Sequence, residues 1–214
     1  MINIKYFSVV TTILTLTACS QAVTPDAELE PENTNQTPST NNQIMQLEPQ
    51  SGDTIATIST NKGEIKILLY ADKTPQTVAN FVGHAEDGNY NGTVFHRVMK
   101  DFMIQTGDFE NNNGTGGYPH TGKDTVLEDE YASGLTHVYG AVSMANIGVP
   151  NTGGSQFFIV QKADGTSWLN GGHSVFGYVF EGMEVVEEIA ATETDASDRP
   201  LEDIIMETVT ISQF

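Results

Sequence analysis

The sequence is poor in cysteine and in basic side chains. Its 214 residues include a single cysteine, Cys19, so no intrachain disulfide can form. Lys and Arg number 9 against 28 Asp and Glu, which gives a net charge of -19 at pH 7. Such an acidic chain repels phosphate groups. The composition therefore argues against nucleic acid as a partner and against adsorption of the folded part to anionic lipid.

Common catalytic and metal-binding motifs are also missing. The five histidines are scattered, with no pair at metal-ligand spacing, and neither HExxH nor GxSxG occurs. The glycine-rich run 114–117 lacks the lysine of a phosphate-binding loop. The acidic run 128–130 lacks the alternating oxygen ligands of a calcium loop. The motifs thus give no support for a metal site or for covalent catalysis.

The first 18 residues have the features of a bacterial export signal. Lys5 supplies a positive start, and residues 7–18 are twelve largely apolar or Thr residues, too few to cross a hydrocarbon core of ~30 Å. The segment ends in Leu16-Thr17-Ala18-Cys19, which resembles the lipobox of bacterial lipoproteins. This resemblance implies cleavage before Cys19 and lipidation of its thiol. A signal peptide cut near Ala18 and an uncleaved anchor are the alternatives.

Residues 19–52 are predicted to form a linker. From residue 21 to residue 51 the chain has no glycine, aromatic residue, Lys or Arg, and it is rich in Pro, Thr, Asn, Gln and Glu. Such a segment buries too little apolar surface to offset its chain entropy, so we expect a disordered spacer with a reach of roughly 30 Å. The expected location is the extracytoplasmic face of a bacterial cell envelope. Ser20 after the cysteine resembles sorting to the outer membrane in a two-membrane bacterium.

Residues 53–214 are expected to form one folded domain, since all twenty glycines lie at or after Gly52. Thr74-Pro75 predicts the start of a helix, and residues 183–190 have the spacing of a second one. Apolar or alternating runs predict strands at 54–59, 64–69, 93–98, 102–106, 140–144, 156–160, 174–180 and 204–212. Many short strands with only two helices favour a closed antiparallel barrel over a doubly wound sheet.

A series of short motifs covers nearly all of this domain. The motifs are Phe95-His96-Arg97-Val98, residues 102–109 (FMIQTGDF), 113–117 (NGTGG), 127–130 (LEDE), 143–146 (SMAN), 153–159 (GGSQFFI), 168–173 (WLNGGH) and 175–177 (VFG). In this order they resemble the cyclophilin-type peptidyl-prolyl cis-trans isomerases. The resemblance implies an eight-stranded antiparallel β-barrel capped by two helices. It also implies that the protein accelerates isomerisation of X–Pro bonds in exported proteins. That reaction makes and breaks no bond, so we expect no metal and no other cofactor.

The resemblance also assigns the site. By this resemblance Arg97 donates a hydrogen bond to the prolyl nitrogen of the twisted amide. Since a guanidinium stays protonated, its expected role is electrostatic rather than that of a general acid. Gln105 and His96 complete the expected catalytic set. The expected substrate-binding residues are Phe102, Met103, Ala145, Asn146, Phe158, Trp168, Leu169 and His173.

Further expectations concern partners and specificity. Trp168 matches the family position that contacts cyclosporin, so we predict inhibition by that drug. Separately, we expect a monomer. Lys100-Asp101 stands where the family commonly has Pro-Gly, and Ile147 stands where a small residue is common. We expect Ile147 to bias the residue accepted before proline. A chaperone or adhesin module that holds Pro segments, with incidental isomerisation, is the alternative function, but such a binder has no need of Arg97.

Overall fold

A computed structural model describes residues 45–214 of the chain. The predicted signal segment, Cys19 and the linker up to residue 44 lie outside the described residues. Among the helices of residues 45–214, none is long and apolar enough to cross a membrane.

The described chain folds into nine β-strands and two α-helices. The strands are β1 (Thr54–Thr60), β2 (Gly63–Leu69), β3 (Thr93–Val94), β4 (Arg97–Met99), β5 (Met103–Thr106), β6 (Ala141–Met144), β7 (Phe157–Val160), β8 (Val175–Glu181) and β9 (Ile205–Gln213). The helices are α1 (Pro75–Glu86) and α2 (Met183–Ala190), and a short 3-10 turn spans Ser167–Leu169.

The strand count of nine corrects the expected eight, because the predicted run 93–98 is two strands. β3 pairs with β9, and the backbone N–H of Phe95 still donates to the Ile204 carbonyl at 2.9 Å. From Arg97 onward the chain pairs with β5 instead. The change of partner at His96 ends one strand and begins the next.

All strand pairs are antiparallel, and the sheet order is β3-β9-β1-β2-β8-β6-β7-β5-β4. The two edge strands, β3 and β4, are separated by residues 95 and 96 alone. The sheet must therefore curl until its edges meet, and the edges are joined by the chain rather than by a backbone ladder. The mainly β, barrel-like architecture is confirmed in this form.

The main core lies inside the curled sheet. Successive strand residues point to opposite faces, so Val98, Ile104 and Ile159 point inward and are at most 2% exposed. From α1, Phe81 reaches the same core and packs edge-on against Phe157 with ring centroids 5.3 Å apart. The helices thus cover apolar surface that the curled sheet leaves open.

The start of α1 is stabilised by a distant residue. Pro75 occupies the first helical turn as predicted, but Thr74 makes no side-chain capping bond. The Glu130 carboxylate instead accepts backbone N–H bonds from Gln76 at 3.2 Å and from Thr77 at 2.8 Å. A negative charge at this end also complements the helix dipole.

Residues 45–52, which the sequence places in the linker, lie against the domain in the structure. The Gln46 side chain donates to Asp53 Oδ2 at 2.6 Å, and the Tyr70 hydroxyl donates to the Gln46 carbonyl. Met45, itself partly buried, packs against the apolar cluster that contains Tyr70. Contacts with the domain therefore begin before the expected boundary at residue 53.

Candidate active site

A row of outward-facing positions crosses four neighbouring strands. Arg97 on β4 is opposite Gln105 on β5, Gln105 is opposite Phe158 on β7, and Phe158 is opposite Ser143 on β6. Residues opposite one another in register share a face of the sheet. Their sequence neighbours point into the main core, so this row lies on the outer face of the curled sheet. The candidate site is built there.

The floor of the site is a second, smaller apolar cluster. Met103, Phe158 and Val160 form its buried part together with Ala141 and Val175. Half-buried apolar residues pack over it, and these include Phe102, Ala145 and Leu169. The cluster is separate from the main core and forms the base of a cleft of about 330 Å³.

Ten of the eleven residues predicted for the site line this cleft. They are His96, Arg97, Phe102, Met103, Gln105, Ala145, Asn146, Phe158, Leu169 and His173. Trp168 is the exception. Its side chain is 63% exposed and stacks beside Phe102, with centroids 6.0 Å apart and planes at 26°. Trp168 therefore lies on the outer rim of the cleft.

The turn before Phe102 accommodates the departure at Lys100-Asp101. Asp101 adopts φ +58°, in the left-handed region that glycine favours. Its backbone N–H donates to Gln161 Oε1 at 2.7 Å, and the Gln161 backbone N–H donates to the Phe102 carbonyl at 2.9 Å. These bonds hold Phe102 over the cleft without a glycine in the turn.

The Arg97 guanidinium lies half-exposed at one side of the floor. Its Nη2 is 3.1 Å from Met99 Sδ, and its Nε is 3.8 Å from Asp198 Oδ2. A pair that is this long and this exposed contributes little energy. Nη1 has no hydrogen-bond partner within residues 45–214, so it remains available to a ligand.

The Gln105 side-chain amide is oriented by Gln156. The Gln156 amide nitrogen donates to the carbonyls of Gly114 at 3.1 Å and of Gly116 at 2.6 Å. Its Oε1 must then face the other way, where it accepts from Gln105 Nε2 at 2.9 Å. As a consequence, the Gln105 Oε1 is left to accept a hydrogen bond from a ligand.

The loop that carries these carbonyls is anchored by a buried carboxylate. Asp108 is 0% exposed and accepts main-chain N–H bonds at 2.9–3.2 Å. The donors are Glu110, Asn111, Asn113, Gly114 and Gly116. Burial opposes ionisation, yet the main-chain donors together hold the pKa of Asp108 below its usual value. A fixed negative charge thus shapes the loop beside the cleft.

His96 is a neutral wall of the cleft. It is 6% exposed, and neither ring nitrogen has a hydrogen-bond partner among the residues described. Burial lowers the pKa of His96, with the Asp108 carboxylate opposing and the Arg199 guanidinium adding to the shift. The ring packs closely on the loop, since a Cβ at Gly114 would lie 3.0 Å from its Cδ2. Gly114 also has φ +87°, so the close contact and the backbone conformation both favour glycine at this position.

His173 forms another wall. Its Nδ1 donates to the Met144 carbonyl at 3.1 Å, and its ring packs edge-on against Phe158 with centroids 5.4 Å apart. These two contacts hold the His173 ring perpendicular to the Phe158 ring of the floor.

Sequence reasoning missed several residues of the site. Gln156 lies within the motif 153–159 but was not assigned a role, although its position two residues before Phe158 was a usable signal. Asn113 and Gly114 belong to another of the motifs and line the cleft. Ser197 also lines it, beside Asp198, which has φ +62°. Neither Ser197 nor Asp198 lies in a motif, and no sequence signal distinguished them.

The fold and the site together define a class of protein. An apolar floor lies beside a guanidinium and an oriented amide oxygen, on the outside of a curled antiparallel sheet. This arrangement suits a short apolar ring within a peptide, whose backbone the polar groups can bind. It is the arrangement of a peptide-binding protein.

Comparisons with known proteins identify the family. Residues 55–211 match the family model described as cyclophilin type peptidyl-prolyl cis-trans isomerase/CLD. A Staphylococcus epidermidis protein assigned to the peptidyl-prolyl cis-trans isomerases is 38% identical over 200 residues, covering 81% of this chain and 100% of the relative. A Staphylococcus aureus relative is 38% identical over 192 residues, covering 78% of this chain and 95% of the relative.

Solved structures agree with this assignment. A cyclophilin-type peptidyl-prolyl cis-trans isomerase of Cryptosporidium parvum is 33% identical, with a TM-score of 0.71, covering 76% of this chain and 99% of that one. The same protein was also solved in the presence of the dipeptide Ala-Pro, and this structure matches with a TM-score of 0.70. The chain described here belongs to the cyclophilin family of peptidyl-prolyl cis-trans isomerases.

Proposed function

We propose that this enzyme accelerates X–Pro isomerisation in exported proteins, with Arg97 as the electrostatic donor to the prolyl nitrogen. The observation that carries the proposal is the row Arg97, Gln105 and Phe158 across three adjacent strands. Arg97 and Phe158 line one cleft, and in the proposed binding mode a proline ring on Phe158 presents its nitrogen toward Arg97.

The chemistry of the bond explains why a donor at that point is useful. In the planar amide the nitrogen lone pair is delocalised, and the barrier to rotation is ~18–20 kcal/mol. Twisting the bond localises the lone pair on nitrogen and makes it a hydrogen-bond acceptor. A donor aimed at this atom stabilises the transition state more than the ground state, which is the requirement for catalysis. One preorganised donor contributes about 3–4 kcal/mol.

Two further groups of the cleft can bind the client backbone. The oriented Oε1 of Gln105 can accept a client N–H. The Asn146 side chain is occupied, since its Nδ2 donates to the Gly172 carbonyl at 2.8 Å and its Oδ1 accepts from the Gly148 N–H at 3.0 Å. The main-chain groups of Asn146 are therefore the ones that can bind the residue before proline.

The proposed location follows from the lipobox-like sequence that ends at Cys19. Lipidation of Cys19 would tether the domain to the cell envelope and place it among newly exported chains. A Cys19→Ser chain should move from the membrane fraction to the soluble fraction. Retention of the variant in the membrane fraction would contradict the lipid anchor. The isomerase assignment does not depend on this result.

The test of the activity is cis-to-trans isomerisation of an Ala-Pro peptide by the chain from Ser20 to Phe214. Acceleration well above the uncatalysed rate is the expected result. A folded protein that binds the peptide and leaves the rate unchanged would instead indicate a module that holds Pro segments.

A further inference from the structure

His137 lies behind the proline floor and contacts it directly. It is 2% exposed and does not line the cleft. Its ring stacks on Phe158 with centroids 5.9 Å apart and planes at 11°. His173 packs edge-on against His137, at 6.3 Å between centroids, as it does against Phe158. One buried ring therefore contacts both the floor and one wall of the cleft.

Hydrogen bonds determine which nitrogen of His137 carries the proton. The backbone N–H of His137 donates to Asn170 Oδ1 at 3.0 Å, so the atom facing it must be the amide oxygen. The same oxygen is 2.8 Å from His137 Nδ1 and can only accept, which puts the proton on Nδ1. His137 Nε2 is then an acceptor for the Ser143 hydroxyl at 2.9 Å.

These contacts join three parts of the site. Ser143 belongs to β6 and to the same row of positions as Arg97 and Phe158. Asn170 follows the turn Ser167–Leu169 and belongs to the segment 167–173, which carries Leu169 and His173 of the cleft wall. The backbone supports the same link, because the Thr166 N–H donates to the His137 carbonyl at 2.7 Å.

We propose that His137 is a positioning residue for isomerisation: its ring, bonded to Ser143 and Asn170, holds the Phe158 floor and the 167–173 wall at a fixed separation. The proposal deepens the proposed function and rests on it. If the floor moves relative to the wall, the prolyl nitrogen moves relative to Arg97. A misplacement of about 1 Å is enough to lower a rate substantially.

Two variants of His137 separate the contributions of the ring. His137→Phe keeps a stacked ring and removes both side-chain hydrogen bonds. His84→Phe is the matched control, since His84 is 1% exposed and makes two hydrogen bonds, to the Tyr118 carbonyl and to Asn89, away from the cleft. We expect kcat for an Ala-Pro peptide to fall roughly tenfold in His137→Phe with KM changed less than about twofold. The control should keep kcat within about twofold.

A second pair of variants keeps the proposal testable if His137→Phe does not fold. Asn170 is exposed, so replacing it leaves the core intact. Asn170→Ala removes the acceptor, and we expect kcat to fall several-fold. Asn170→Asp retains an acceptor oxygen at the same place. At pH 8, where the carboxylate is ionised, its kcat should return to the wild-type value.

The outcomes are distinct. Wild-type kcat in His137→Phe or in Asn170→Ala would overturn the positioning role, as would an equal loss in His84→Phe. A wild-type protein with no isomerase activity would remove the proposed function and the positioning role together. Acceleration by the wild type that persists in all variants removes the positioning role alone.

Discussion

Replacing Asp108 with Asn should both destabilise the domain and slow its reaction, although Asp108 does not line the cleft. Oδ1 of Asp108 accepts N–H bonds from Glu110 and Asn111, and Oδ2 accepts from Asn113, Gly114 and Gly116. Asparagine keeps one acceptor oxygen and turns an amide N–H toward the donors of the other. At least two main-chain N–H groups then lose their acceptor.

The size of both effects follows from these contacts. An unsatisfied buried N–H costs about 1–3 kcal/mol, and water can reach the exposed side of the loop, so we expect a loss of about 2–4 kcal/mol in unfolding free energy. A loosened loop also releases the carbonyls of Gly114 and Gly116 that orient Gln156, and through it Gln105. We expect kcat/KM to fall about tenfold, since binding groups that are misplaced by a fraction of an ångström lose much of their effect.

Urea unfolding at several pH values tests the stability part, with exposed Asp164→Asn as the control. The folded pKa of Asp108 lies below its unfolded value, so its stabilisation is complete above about pH 4 and is lost as pH falls through the folded pKa. Wild type should therefore lose stability on acidification below about pH 4, and Asp108→Asn should lose less. Equal unfolding free energies would refute the anchoring role. Normal kcat/KM in a destabilised variant would refute the link to Gln105.

Three further predictions concern separate features. Burial lowers the pKa of His84 to about 4 from 6.5, so between these pH values the unfolded chain binds more protons than the folded one. The unfolding free energy should therefore fall by up to about 3 kcal/mol from pH 6.5 to pH 4. In His84→Phe, urea unfolding midpoints should lack this part of the decline. Ile147 is 80% exposed beside a neighbouring pocket lined by no charged side chain, and Ile147→Ala should change the kcat/KM ratio of bulky X–Pro to Ala–Pro peptides by about threefold. Identical ratios would contradict this. Trp168→Ala should weaken inhibition by cyclosporin about tenfold in a titration, and unchanged inhibition would show that the rim does not bind the drug.

Local patterns were sufficient to predict most of the elements and much of the cleft. Alternation of apolar residues is a property of neighbours in sequence, so it located the hairpin of β1 and β2 and the strands that carry Gln105 and Phe158. The motifs contain twelve of the residues that line the cleft, and ten of these were assigned to the site. The expected single strand 93–98 was wrong in detail, because an exchange of partner at His96 depends on where β9 and β5 lie in space.

Long-range contacts were the part that local patterns could not predict. Gln156 orients Gln105 from 51 residues away. Glu130, which the sequence showed only as part of an acidic run, binds the start of α1 from 53 residues away. Asp198 reaches Arg97 because the turn around it adopts a left-handed conformation that is not specific to any motif. Each of these pairings joins segments that are far apart in the sequence and meet only in the folded domain.

The most direct test of the central claim is the effect of Arg97→Ala on kcat and on the dissociation constant of an Ala-Pro peptide, measured on the same folded protein. We expect kcat to fall by about 10²–10³, from the loss of about 3–4 kcal/mol of transition-state stabilisation. The dissociation constant should change less than about threefold, because the planar amide offers Arg97 no acceptor at nitrogen. A kcat within tenfold of wild type, or a loss of affinity as large as the loss of rate, would contradict the account.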